Sequence, residues 1–259
     1  MGLELREGNV FKEKEREIDT SLDSEKYTIM RLNGKNFHSY THGMIKPYDP
    51  YIIVSMFLAT KYLLKRIFND LYIVFYIQSD EVSIVMKPII YPFKGRIQKI
   101  LTLSSASMSA SFGRIMDMFF GGGMEKINEI FLSLLETKEI KKPKTLPIFD
   151  ARLIQVDSEK EVNDYLTWRR IDAIRNSKNL FAQSFYSTKQ LSGVTSDEAI
   201  LRVEKEFGVN WREFPSILKR GIIQFKDSTF ISEFAEDDEK SIKALDILNS
   251  INIEEFICK

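Results

Sequence analysis

The residues best placed to do chemistry in this chain are an amide, a glycine and two neighbouring acids. Asn33 and Gly34 end a run of strand-formers, "YTIMRLN" (27–33), and Asp80 and Glu81 sit in "QSDEVS" (78–83). A strand that stops at a glycine offers bare backbone, which a phosphate can approach closely. An acid at the tip of a neighbouring hairpin could hold a divalent cation beside it. Two Mg2+ ions about 3.5–4 Å apart stabilise both the attacking and the leaving oxygen of an in-line phosphoryl transfer. Mg2+ is satisfied by a few carboxylates together with phosphate and water oxygens. The plainer alternative is a solvated acidic turn with no ligand. Such turns are common, and pattern alone favours this alternative.

For Asn33 and Asp80, 47 positions apart (80 − 33), to meet, the elements between them must fold back. "PYDPYIIVSMFLATKYLLKRIFND" (47–70) carries apolar residues at helical spacing from Ile53 to Phe68, with Pro50 at the start and Asp49 as N-cap. "YIVFYIQ" (72–78) and "VSIVMK" (82–87) read as strands joined by a tight acidic turn. "GRIQKILTLSSASMSASFGRIMDMFF" (95–120) reads as a helix with a small, serine-rich face, ended by "GGG" (121–123). Ser104, Ser107 and Ser111 on that face suit close packing rather than catalysis. After the basic link "KKPKT" (141–145), "FDARLIQV" (149–156) is a further strand. The order β-α-β-β-α-β is that of a ferredoxin-like unit, an α+β palm with an antiparallel sheet and helices on one face. In that order the end of the first strand and the tip of the hairpin lie side by side, where palm-type polymerases carry metal-binding carboxylates. Residues 1–156 are expected to form the palm and 157–259 a mostly helical extension packed on it. The extension has a long helix from about 160 to 184, a helix at 196–207, a strand at 221–225 and a last helix near 238–250.

Lys+Arg and Asp+Glu both number 37, so the formal charge is zero and any nucleic acid must be met by local basic patches. One cysteine, Cys258, excludes an intramolecular disulfide and a thiolate metal cluster. The N-terminal segment lacks a signal-peptide core, and "YIIVSMFLAT" meets Lys61 too soon to span a bilayer. A soluble, cytoplasmic protein with no membrane partner is expected. On the long helix Tyr165, Trp168, Asp172, Asn176 and Asn179 recur at three- or four-residue spacing, flanked by Arg169 and Arg175. A polar face of this kind is usually only solvated.

Several segments together resemble the tRNA-His guanylyltransferase family and its tRNA-repair relatives, which add nucleotides in the 3′-to-5′ direction. The family's R-I/L-D-G-R/K-x-F-H-x-F/Y is "RLNGKNFHSY" here, K-P-x-D is "KPYD" (46–49), and Q-S-D-E-x-S is "QSDEVS". F-K-x-R-x-x-K is "FKGRIQK" (93–99), F-D-G/A-R is "FDAR" (149–152), and D-Y-L-x-W-R-x-x-D is "DYLTWRRID" (164–172). These matches run in order from about residue 27 to 180.

The resemblance implies a Mg2+-dependent nucleotidyltransferase with GTP and ATP as substrates, tRNA or tRNA-like RNA as partner, and a homotetramer. It implies that Asn33, Asp80 and Glu81 are the catalytic set and that Asn33, Gly34 and Asp80 hold two Mg2+ ions. It gives Gly34, Lys35, Asn36, Phe37, His38, Lys94, Arg96 and Lys99 to the nucleotide. Lys94, Arg96 and Lys99 would lie on one or two helical turns and grip the triphosphate. Arg152, Trp168, Arg169, Asp172, Arg175, Asn176 and Asn179 would meet the RNA end. The chain departs from the pattern twice. The family's motif aspartate is Asn33, which can ligate Mg2+ but carries no charge, so activity is in question. The family's H-x-N-N is "IRNS" (174–177), which points to the repair-type or a divergent branch. The alternatives are a non-catalytic RNA or nucleotide binder and a palm enzyme acting on free nucleotides.

Overall fold

The computed structural model describes residues 2–121, 142–226 and 238–252. Gly122, Gly123, Lys141 and Cys258 lie outside the described residues. An N-terminal helix, α1 (Gly2–Ile18), precedes β1 (Tyr27–Gly34), a one-turn α2 (Phe37–Tyr40) and α3 (Pro50–Phe68). The hairpin β2 (Val74–Gln78) and β3 (Glu81–Met86) leads to α4 (Ile97–Phe120) and β4 (Phe149–Val156). The remainder is α5 (Glu159–Gln183), α6 (Ser196–Phe207), a short α7 (Ser216–Lys219), β5 (Ile222–Phe225) and α8 (Glu239–Ser250). None of the described helices is long and apolar enough to cross a membrane.

Local chemistry sets these boundaries. Asp49 caps α3 by accepting from the Tyr51 N–H at 2.9 Å, with Pro50 in the first turn. Ser158 with Glu161, and Thr195 with Glu198, form capping boxes that start α5 and α6.

The sheet is antiparallel with order β4-β1-β3-β2-β5. Strand alternation divides its side chains between two cores. Met30, Leu32, Phe75, Ile77, Val82 and Ile84 face α3 and α4, the two helices of the ferredoxin-like unit. Ile29, Val74, Tyr76 and Val85 face Val162, Leu166 and Ala173 of α5. Helices on one face therefore describes the β-α-β-β-α-β unit, while α5 covers the other face. The long helix reads as polar in sequence because a narrow apolar stripe suffices to seat it there. A third core joins the end of α5 to α6 through Phe181, Val203 and Trp211.

Ser104 and Ser111 are buried, and the Ser111 hydroxyl donates to the Ser107 carbonyl at 2.7 Å. The serine-rich face thus packs, as its small residues suggest.

Candidate active site

The end of β1 meets the hairpin tip. Asn33 is in register with Glu81 on β3 and with Asp150 on β4, so the amide stands between two carboxylates on the α5 side of the sheet. The Gly34 N–H donates to the Asp80 carbonyl at 3.0 Å, and the Lys35 N–H to the Ile148 carbonyl at 2.7 Å. Both amides are thereby spent on structure. The N–H groups of Asn36, Phe37 and His38, at the start of α2, have no backbone acceptor among the described residues, and these remain for a phosphate. Gly34 answers a packing demand: a Cβ there would stand 2.2 Å from Cδ2 of the buried Phe37 ring.

The two acids of the tip have different surroundings. Glu81 accepts from Arg169 Nε at 2.8 Å and lies 3.8 Å from Arg31 Nε. Arg169 also reaches Asp172 at 3.3 Å, and Asp172 in turn holds Arg175 and Asn176. This alternating chain of charges pins α5 to the sheet, with Arg169 only 8% exposed. Burial pushes the Glu81 carboxyl up despite the two arginines. Asp80 pairs with no cation among the described residues. Burial raises its carboxyl too, against hydrogen bonds within its own turn.

Beside Asp80 lies a cavity of about 330 Å3. Phe37, His38 and Thr41 form one side, the loop from Met44 to Asp49 another, and Gln78, Ser79 and Asp80 the floor. Asn176, Ser177, Leu180 and Gln183 of α5, with Ile217, Leu218 and Gly221, close it. It combines apolar walls with a few convergent polar groups, the usual character of a small-molecule site. Asp49 lines it but is spent on the backbone, accepting from the Ile45 and Tyr51 N–H groups.

A family model described as tRNAHis guanylyltransferase matches residues 9–157, more than half of the chain. The chain belongs to the tRNAHis guanylyltransferase family. It is 27% identical to a probable tRNA(His) guanylyltransferase of Drosophila melanogaster over 232 residues, 84% of this chain and 73% of that one. It is 28% identical to the tRNA(His) guanylyltransferase of Saccharomyces cerevisiae over 209 residues, 75% and 80% of the two chains. A bacterial tRNA(His) guanylyltransferase-like protein in complex with ATP superposes with TM-score 0.69 at 28% identity, covering 85% of this chain and 86% of that one. Another such bacterial structure, in complex with GTP, gives TM-score 0.64 at 25% identity over 96% and 98%.

Several site residues expected from the guanylyltransferase motifs are placed otherwise by the structure. Lys94, Arg96 and Lys99 do not share a helix face. Phe93 and Lys94 have left-handed φ values of 56° and 58°, and α4 begins only at Ile97. Nor do the three reach Asp80 within one chain. β3 starts at the tip and runs away from it, so the helix that follows starts at the far end. There Arg96 pairs with Asp19 and Ile97 bonds Thr20. It is Ser109, further along α4, that meets Phe149, the register partner of Gly34. Of the residues given to RNA, Arg169 is buried on Glu81, Asp172 is taken up by Arg169, Arg175 and Asn176, and Arg152 lies 3.4 Å from Asp150. Trp168 is exposed beside Tyr165, Asn179 is half-buried outside the cavity lining, and Asn176 lines the cavity.

A protein-held Mg2+ pair does not fit these residues. Asn33 is neutral, Glu81 is occupied by two guanidiniums, and Asp80 alone is an uncommitted carboxylate at the tip. Among the described residues no group of three or more His, Cys, Asp or Glu could hold a metal. Two participants escaped the sequence reading. Asp150 has one buried oxygen, Oδ1, that accepts no hydrogen bond, and only strand register places it beside Asn33. Ser177 sat in plain view in "IRNS", as the residue after the cavity-lining Asn176.

Proposed function

We propose that this chain binds a nucleoside triphosphate in the cavity beside Asp80 and acts as a nucleotidyltransferase on the 5′ end of tRNA or a similar RNA, adding in the 3′-to-5′ direction. The observation that carries this is the cavity itself, at the meeting of β1 and the hairpin tip in a chain of this family. The bacterial relatives that share its fold are described in complex with ATP and with GTP. In the reaction the 3′-hydroxyl of the incoming nucleotide attacks the activated 5′ phosphate of the RNA, and pyrophosphate or AMP leaves. Amides at the start of α2 and the side chains of His38, Lys46 and Asn176 supply donors for phosphate or base, while Phe37, Ile52 and Leu180 exclude water. Asp80 orients the reacting groups from the floor. Mg2+ arriving with the triphosphate would supply phosphate charge neutralisation, with Asp80 the one uncommitted carboxylate at the tip to meet it, and a tetramer is the expected assembly.

A second reading has its own support. With Asn33 in the motif and Glu81 locked by arginine, the same pocket suits a member that binds nucleotide and RNA end without turnover. One experiment separates the two. A 5′-labelled, 5′-triphosphorylated tRNA is mixed with protein, Mg2+ and each nucleoside triphosphate. Growth at the labelled end supports transfer, while nucleotide binding by calorimetry with no growth supports the non-catalytic reading.

A further inference from the structure

Behind the wall of the cavity lies a buried hydrogen-bonded cluster made of the third residue of "KPYD", the last residue of "IRNS" and a tryptophan outside the motifs. The Tyr48 hydroxyl lies 2.7 Å from Ser177 Oγ and donates to the Ser177 carbonyl at 3.2 Å. The Trp211 indole N–H is shared between Tyr48 Oη at 3.0 Å and Ser177 Oγ at 3.1 Å. All three residues are buried. Tyr48 and Ser177 line the cavity on one side and meet Trp211 on the other; Trp211 itself lies outside the lining.

The cluster joins three parts of the chain. Tyr48 belongs to the loop between α2 and α3, Ser177 to α5, and Trp211 to the core built by α6 and the end of α5. The loop is tied internally by Asp49, which accepts from the Ile45 N–H at 2.9 Å. Met44 anchors its start in the main core, and Tyr48 ties its end to α5 and Trp211, its ring also packing edge-on against Phe214 at 5.6 Å. The exposed Lys46 and half-buried Pro47 between these anchors form the rim of the wall.

We propose that Tyr48, Ser177 and Trp211 form a latch through which the C-terminal third of the chain sets the position of the 45–49 wall, and so the affinity of the cavity for a nucleoside triphosphate. This rests on the reading above that the cavity takes such a ligand. The three act as positioning residues. The protons allow it: Trp211 gives to Ser177, Ser177 gives to Tyr48, and Tyr48 gives to the Ser177 carbonyl, so every donor has an acceptor. Burial pushes the Tyr48 phenol up to about 12, against its Ser177 and Trp211 hydrogen bonds, so it keeps its proton. A ligand that presses on the wall moves the Tyr48 ring and with it the environment of the indole. Two ammonium groups over that indole, Lys178 at 5.3 Å and Lys219 at 5.4 Å, make its electronic environment sensitive to small shifts.

The test is GTP and ATP binding by calorimetry together with fluorine NMR of fluorotryptophan-labelled protein. The chain has two tryptophans, so Trp168 and Trp211 give two resonances. The Trp211 resonance should shift when nucleotide binds. Tyr48→Phe and Ser177→Ala should each raise Kd about tenfold, the worth of one good net hydrogen bond, while Ser177→Thr, which keeps the hydroxyl, should stay near wild type. A still Trp211 resonance in nucleotide-saturated protein overturns the latch alone. So does a lowered melting temperature with unchanged Kd in Tyr48→Phe, the signature of a merely structural cluster. Absence of binding to wild type overturns the nucleotide reading and the latch with it.

Discussion

Replacing Asn33 with aspartate asks the site directly whether it has kept its metal logic. In the sheet the new carboxylate would stand opposite Glu81 on one side and Asp150 on the other. Directly opposed Cβ atoms on neighbouring strands are about 4.5–5.5 Å apart. At about 5 Å and an effective dielectric near 20, each like-charge pair repels by roughly 3 kcal/mol gross. The guanidiniums of Arg31, Arg169 and Arg152 offset most of this, and like charges opposed across strands cost up to about 1 kcal/mol each in practice. Asn33→Asp should therefore be destabilised by about 1–2 kcal/mol in chelator, a fall in melting temperature of about 2–4 °C per kcal/mol for a chain of this size. Mg2+ reverses the sign: at about 4 Å one carboxylate and a dication attract by roughly 8 kcal/mol gross. Melting of the variant should recover with Mg2+ while wild type barely responds. Single-turnover addition to 5′-triphosphorylated tRNA should accelerate in the same Mg2+ range, with little change in nucleotide affinity. If the variant melts with wild type in chelator and is no faster at any Mg2+ concentration, position 33 does not face a metal site and the argument fails.

Three further outcomes follow from the surroundings of the site. Arg169→Ala strands a buried Glu81 and should cost about 3–5 kcal/mol in urea unfolding, whereas Arg169→Met with Glu81→Gln should cost much less. Burial holds the Asp80 carboxyl above its ordinary 3.8, so folding takes up a proton and wild type loses stability as pH rises from about 4 through the raised value. Asp80→Asn has no charge to lose, and its urea midpoint should match wild type near pH 4 and exceed it by a growing margin towards neutrality. Binding of tRNA should fall steeply with salt, and replacing the exposed Lys94 and Lys99 with alanine should flatten the log–log slope by about 1–2; an unchanged slope would remove them from the RNA surface.

Much of this site could be read from residue order, and the remainder shows what order alone hides. The strand ending at Gly34 and the turn at Asp80 were legible because β-formers and turn residues mark them locally. Asp49 declared itself as a cap by preceding Pro50. Arg169 was given to the RNA end because its carboxylate partner, 88 positions away, cannot be seen in the order of residues. Lys94, Arg96 and Lys99 looked like one basic face because spacing was counted as if the helix had already begun. Two left-handed residues break that count, and the direction of β3 carries the segment to the other end of the sheet. Asp150 and Tyr48 were hidden for a common reason: their importance lies in partners supplied by strand register and by distant helical segments.

The cavity draws its floor from the first third of the chain and its closing wall from Asn176 through Gly221. A chain emerging from the ribosome can therefore assemble β1 to β4 with their helices well before it owns a complete pocket. Until α5 and β5 arrive, one face of the sheet and the edge beyond β2 stand open, and Glu81 waits without Arg169. Nucleotide capture in the cavity, as proposed above, then has to wait until Gly221 is in place, when β1 to β4 are already committed to their fold.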